Sequence, residues 1–111
     1  MATSAEWHED YARMSDNALD FSRAVKSVQE ELEAVDWYNQ RAQATKDEQL
    51  RRILEHNRDE EIEHAVMGLE YLRRSNPVFD KHMRTYLFTE GDITGIEESA
   101  TASRGPAKPS P

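Results

Sequence analysis

The chain has 111 residues, 37% hydrophobic and 32% charged, which allows one domain and leaves little apolar material for a self-sufficient core, so oligomerisation is expected. A formal net charge of -8 argues against nucleic-acid or anionic-membrane binding, both of which rest on Lys and Arg neutralising phosphates, and makes cations the natural small partners. The absence of cysteine removes disulfide and thiolate chemistry and fits a reducing compartment. Residues 1–11 hold no apolar run, so no signal or anchor is expected there, and the expected location is cytoplasmic.

Residues 1–7 read as a flexible N-terminus. Beyond them Phe21, Val25, Val28, Leu32 and Val35 recur at spacings of four, three, four and three, predicting a helix over about residues 8–44 with one apolar stripe. Thr45 and Glu48 form a Thr-x-x-Glu capping box that opens a second helix. Its Leu50, Leu54, Ala65, Leu69 and Leu72 share a face until Ser75, Asn76 and Pro77 stop it. So short a turn between long helices implies an antiparallel hairpin. Phe79, Met83, Tyr86 and Leu87 predict a short third helix over residues 77–88. From Asp92 onward Gly, Ser, Thr, Ala and Pro dominate, so residues 92–111 are expected to be a flexible tail. That leaves residues 8–91 as the helical domain. With no strand-like alternation, the fold class is all-α.

At about 100° of rotation per residue, Leu50, Leu54, Glu61, Ala65, Gly68 and Leu72 fall within about 40° of one direction, with Glu61 at the centre and His64 about 60° off. On the first helix Glu31 borders the apolar stripe. An unpaired buried carboxylate costs several kcal/mol, so such a residue is protonated, paired with a cation or bound to metal. No basic residue obviously lines this stripe. A Glu-x-x-His pair on one turn aims a carboxylate oxygen and an imidazole nitrogen at a common point, and a Glu from the neighbouring helix makes three ligands. A two-fold axis doubles them to the four Glu and two His of a two-metal carboxylate site.

The bland reading of the same residues is a hydrogen-bonded Glu and His in a polar dimer seam, since one Glu-x-x-His match is about what chance supplies in a chain with this much Glu. Trp37 lies opposite the stripe, with Glu30 and Glu33, and is either a subunit or metal-access contact or a lone exposed aromatic. Tyr38, one heptad after Glu31, is either a hydrogen-bond donor or redox neighbour of the site or simple packing. His8, His56 and His82 read as surface residues. Met14, Met67 and Met83 read as core filler.

The run from Glu30-Glu31-Leu32-Glu33 to Asp36-Trp37-Tyr38, then His56-Asn57-Arg58-Asp59-Glu60-Glu61 with Glu63-His64-Ala65, then Arg84-Thr85-Tyr86-Leu87-Phe88-Thr89-Glu90, closely resembles the encapsulated ferritins. The resemblance implies a two-helix subunit that dimerises into a ferritin-like four-helix bundle and assembles as a decameric ring of five dimers. It implies a ferroxidase, an oxidoreductase converting Fe(II) to Fe(III) with dioxygen at a di-iron centre shared by each dimer. An open ring holds no mineral, so the resemblance also implies work inside an encapsulin shell. By position, Glu31, Glu61 and His64 correspond to the iron ligands, with Glu61 bridging, and Tyr38 corresponds to the tyrosine beside them. Glu30 and Glu33 correspond to a peripheral site through which iron enters, with Trp37 next to it. Family members usually end in a short apolar shell-docking peptide, whereas this tail ends Gly105-Pro106-Ala107-Lys108-Pro109-Ser110-Pro111; truncation before that peptide is the expectation. The competing readings are a non-catalytic helical oligomerisation module clasped by Zn(II) or Ca(II), and a metal-free helical interaction protein.

Overall fold

In the computed structural model, which describes residues 7–103, a 3-10 turn over Tyr11–Arg13 precedes four helices: α1 (Asp16–Ala44), α2 (Glu48–Ser75), α3 (Pro77–Tyr86) and α4 (Ile93–Ser103). No strand occurs among the described residues, so the all-α class holds. Among the described residues no helix is long and apolar enough to cross a membrane. The chain divides between Ser75 and Asn76 into two units.

The first unit is the hairpin of α1 and α2. The helix expected from residue 8 starts instead at Asp16, because Ser15 caps it: its Oγ accepts from the Ala18 N–H at 3.1 Å. A serine oxygen can satisfy one of the orphan donors of a first turn, and Asp16 complements the dipole there. Upstream, Asp10 caps the 3-10 turn, and Trp7 packs edge-on against Tyr11 at 5.3 Å. The second helix is capped by Asp47, whose Oδ1 accepts from the Leu50 N–H at 2.8 Å. Thr45 does not close the anticipated box; its Oγ1 accepts from the Asp47 N–H instead. A carboxylate one residue before the helix wins over a hydroxyl three residues before Glu48.

Arg51 fastens the turn. Its Nε and Nη2 donate to the carbonyls of Ala42 at 3.2 Å and Thr45 at 2.8 Å, satisfying acceptors left over at the end of α1. Further along, Arg58 donates to Asn39 Oδ1 at 3.0 Å, and Val28 meets Gly68. These pairings move apart in sequence as they recede from the turn, so the helices are antiparallel, as the short connection requires.

The buried apolar residues are Leu19, Val28 and Ala42 on α1 and Leu54, Ala65 and Leu72 on α2. This core is narrower than the periodicity suggests. Phe21 and Leu32, expected in the buried stripe, are 37% and 52% exposed, and Leu50 is 44% exposed. A helix packed against one partner buries only a strip one helix wide, and the rest of its apolar arc stays open.

Near the end of α2, Glu70 accepts from Arg73 Nε at 2.7 Å and Nη2 at 2.8 Å and from Arg74 Nε at 2.7 Å. Hydrogen bonds from Arg73 first, then Arg74, pull its carboxyl down from the ordinary 4.5 to about 2. A carboxyl depressed by folding stabilises the protein above its unfolded value, and that contribution is lost as pH falls through its folded value. Glu70→Gln is therefore expected to flatten the decline of thermal stability between about pH 4.5 and 2, read as melting temperature against pH beside the parent chain.

In the second unit α3 opens with Pro77 in its first turn, and Asn76 Oδ1 accepts from the N–H groups of Val78 and Phe79, both at 3.0 Å. It stops two residues short of the expected end: Leu87 is extended, and Phe88 takes a left-handed φ of 61° with its ring fully exposed. The segment read as a flexible tail begins with α4. There the Asp92 carbonyl accepts from the Ile96 N–H at 3.1 Å and its Oδ2 from Thr94 Oγ1 at 2.9 Å. The Ile, Glu and Ala of residues 93–103 are helix-compatible, and a reading by average composition merged them with the proline-rich run that follows. Residues 1–6 and 104–111, which hold most of the expected flexible start and the end of the tail where truncation is expected, lie outside the described residues.

Candidate metal centre

Glu31 stands on α1 one turn after Val28 and is half-buried. Its Oε2 is buried and has no hydrogen-bond partner. That oxygen lies over Gly68 of α2, 3.8 Å from where a side chain at Gly68 would begin. A desolvated carboxylate oxygen without a donor is costly in a finished structure, and it marks a place where a cation fits.

Helical spacing puts Glu61 and His64 on one turn of α2, both half-buried, with His64 Nδ1 3.8 Å from Glu61 Oε2. His64 Nε2 lies 3.9 Å from Glu60 Oε2, and Glu60 Oε1 lies 3.6 Å from His56 Nε2, so Glu60 sits on the exposed flank between two imidazoles. Tyr38 is half-buried, with the Arg41 guanidinium 5.5 Å from its ring centroid. Glu30, Glu33 and Trp37 are exposed, at the three- and four-residue spacings that line one outer face of α1. Trp37 is 50% exposed.

The hairpin thus joins Glu61 to His64 and leaves Glu31 on the other helix. Among the described residues no group of three or more His, Asp or Glu side chains is close enough to hold a metal within one copy. The donor set is hard carboxylate with imidazole, which suits iron, manganese or zinc.

Sequence reasoning missed the surface around this pair. Leu50, Ile53, Asn57, Glu60, His64, Met67 and Tyr71 follow one another at alternating spacings of three and four along α2. The four apolar members are 44%, 48%, 58% and 47% exposed. Met67 is therefore surface and not core filler. The alternation was present in the sequence, but the polar interruption at Asn57, Glu60 and His64 hid it. It is a heptad-like apolar seam with a polar island at its middle.

A two-helix hairpin whose open apolar seam is interrupted at Asn57, Glu60 and His64, with Glu61 one turn before His64, fits the ferritin-like helical class. The profile of the EncFtn-like family matches residues 6–90, and the chain belongs to that family. It is 54% identical over 96 residues to a ferritin-like protein of Thermotoga maritima, covering 86% of this chain and 84% of that one. It is 52% identical over 103 residues to an encapsulated ferritin-like protein of Rhodospirillum rubrum, covering 93% and 74%. An encapsulin nanocompartment cargo protein of Myxococcus xanthus is 33% identical over 73 residues, covering 65% of this chain and 55% of that protein. A crystal structure of a protein from Nitrosomonas europaea superposes with a TM-score of 0.76 at 54% identity, covering 78% of this chain and 96% of that one.

Proposed function

We propose that this protein is a ferroxidase whose iron site is completed by a second copy of the chain, and that it works in the cytoplasm as cargo inside an encapsulin shell. The observation that carries the reading is the buried, unpartnered Oε2 of Glu31. Glu31, Glu61 and His64 are the ligands proposed for iron, three from each of two chains. The open seam of Leu50, Ile53, Met67 and Tyr71 supports the pairing, because docking two such faces removes apolar surface from water and brings both polar islands together. Dimers built this way are the proposed units of a homo-oligomeric, decameric ring. The encapsulated and cargo relatives support the shell.

Iron is the substrate: Fe(II) gives up an electron to dioxygen and leaves as Fe(III). The carboxylates of Glu31 and Glu61 supply hard anionic oxygens that favour the higher charge of the product, which is differential stabilisation in the direction of oxidation. Glu61, central on its helix, is the bridging ligand in this reading, and neutral His64 adds one nitrogen without adding charge. Tyr38, with the Arg41 guanidinium over its ring, is the residue assigned in this reading as a hydrogen-bond or electron donor to the site. Exposed Glu30 and Glu33, with Trp37 beside them, gather Fe(II) at the surface by their charge.

Aerobic addition of Fe(II) to the full chain is expected to give ultraviolet absorbance growth well above the buffer blank, and Glu61→Ala to slow it by at least ~100-fold. Metal binding without absorbance growth would leave a non-catalytic clasp.

A further inference from the structure

Gly68 has no evident reason to be glycine from its own backbone. Helix interiors disfavour the residue, and the positive φ that would demand it occurs, among the described glycines, at Gly91 and not here. What it meets across the hairpin explains it. A methyl group on Gly68 would stand 2.5 Å from Val28 Cγ2, and Val28 is 6% exposed. A β-branched side chain inside a helix has one strongly preferred rotamer, so Val28 cannot swing aside and the helices would have to separate. Glu31 follows Val28 by one turn, and its buried Oε2 lies over the same bare stretch of α2.

We propose that Gly68 is a positioning residue for the metal centre: by letting Val28 seat on bare backbone, it fixes the α1–α2 separation that places the Glu31 carboxylate beside α2. The proposal rests on Glu31 being an iron ligand. Carboxylate ligands tolerate little displacement, and widening the hairpin at Val28 moves Glu31 with it, because both belong to one rigid turn of α1.

The test is anaerobic Fe(II) titration of the full chain by calorimetry, with helix content followed by circular dichroism. Gly68→Ala is expected to weaken Fe(II) binding by roughly ten- to a hundredfold at unchanged helix content. Val28→Ala/Gly68→Ala, where the new methyl has room, is expected to return to within about threefold of the parent chain, a rescue that a mere loss of helix stability would not give. Affinity of Gly68→Ala within about threefold of the parent overturns the proposal, as does a double variant no better than Gly68→Ala. Should Gly68→Ala not fold, the double variant is compared with Val28→Ala: equal affinities support the proposal and a roughly tenfold loss overturns it. Glu31→Ala separates the two layers. Unchanged affinity there overturns the ligand assignment itself, whereas loss there beside an unaffected Gly68→Ala overturns only the role of Gly68.

Discussion

Replacing Glu31 by methionine is expected to stabilise the metal-free protein by about 1 kcal/mol and to abolish its iron binding. The two effects have one cause. In the free chain Glu31 Oε2 is desolvated without a donor, a penalty an apolar side chain of similar length does not incur. With iron bound, the same oxygen is neutralised, and the penalty becomes the reason the site holds a cation. Stability and metal binding therefore move in opposite directions, the mark of a group kept for function at the expense of folding. Chemical denaturation in the presence of a chelator, beside elemental analysis of the loaded protein, checks both. A destabilised variant would mean that Glu31 serves the fold. Undiminished iron would mean that it is not a ligand.

Met67→Asp is expected to separate the paired chains and to stop iron oxidation, although Met67 is no ligand. Met67 is 58% exposed on the hairpin itself, so the substitution leaves the single copy's helices intact. In a docked seam it buries an added carboxylate in an apolar stretch of the interface, and an uncompensated charge taken out of water there costs several kcal/mol. The expected result is unchanged circular dichroism, a smaller mass in light scattering and lost ferroxidase activity. A Met67→Asp protein that keeps both mass and activity would place the pairing surface elsewhere.

Much of the hairpin was legible because its signals are local. Asn76 and Pro77 close α2 and open α3 through capping and a missing N–H, whatever surrounds them. The turn of Glu61 and His64 was equally legible, since three residues along a helix fix their common side. Errors fell where a signal needed a partner to be interpreted. Phe21, Leu32 and Leu50 belong to apolar arcs, and periodicity reports the arc without saying what covers it. Met67 was placed in a core for the same reason. Ser15 and Asp47 displaced the expected helix starts because several capping residues lie close together and the strongest acceptor in the right geometry wins. The relation of Glu31 to α2 depends on how close two helices come, and that distance is set by Val28 against Gly68, a contact forty residues apart in the chain.

Native mass spectrometry of the full chain, loaded with Fe(II) without oxygen, tests the central claim most directly. The account predicts two iron ions per pair of chains, carried by even-numbered assemblies, with single chains free of metal. Single chains that hold iron at the same stoichiometry per chain would contradict it, because one hairpin would then suffice to build the site.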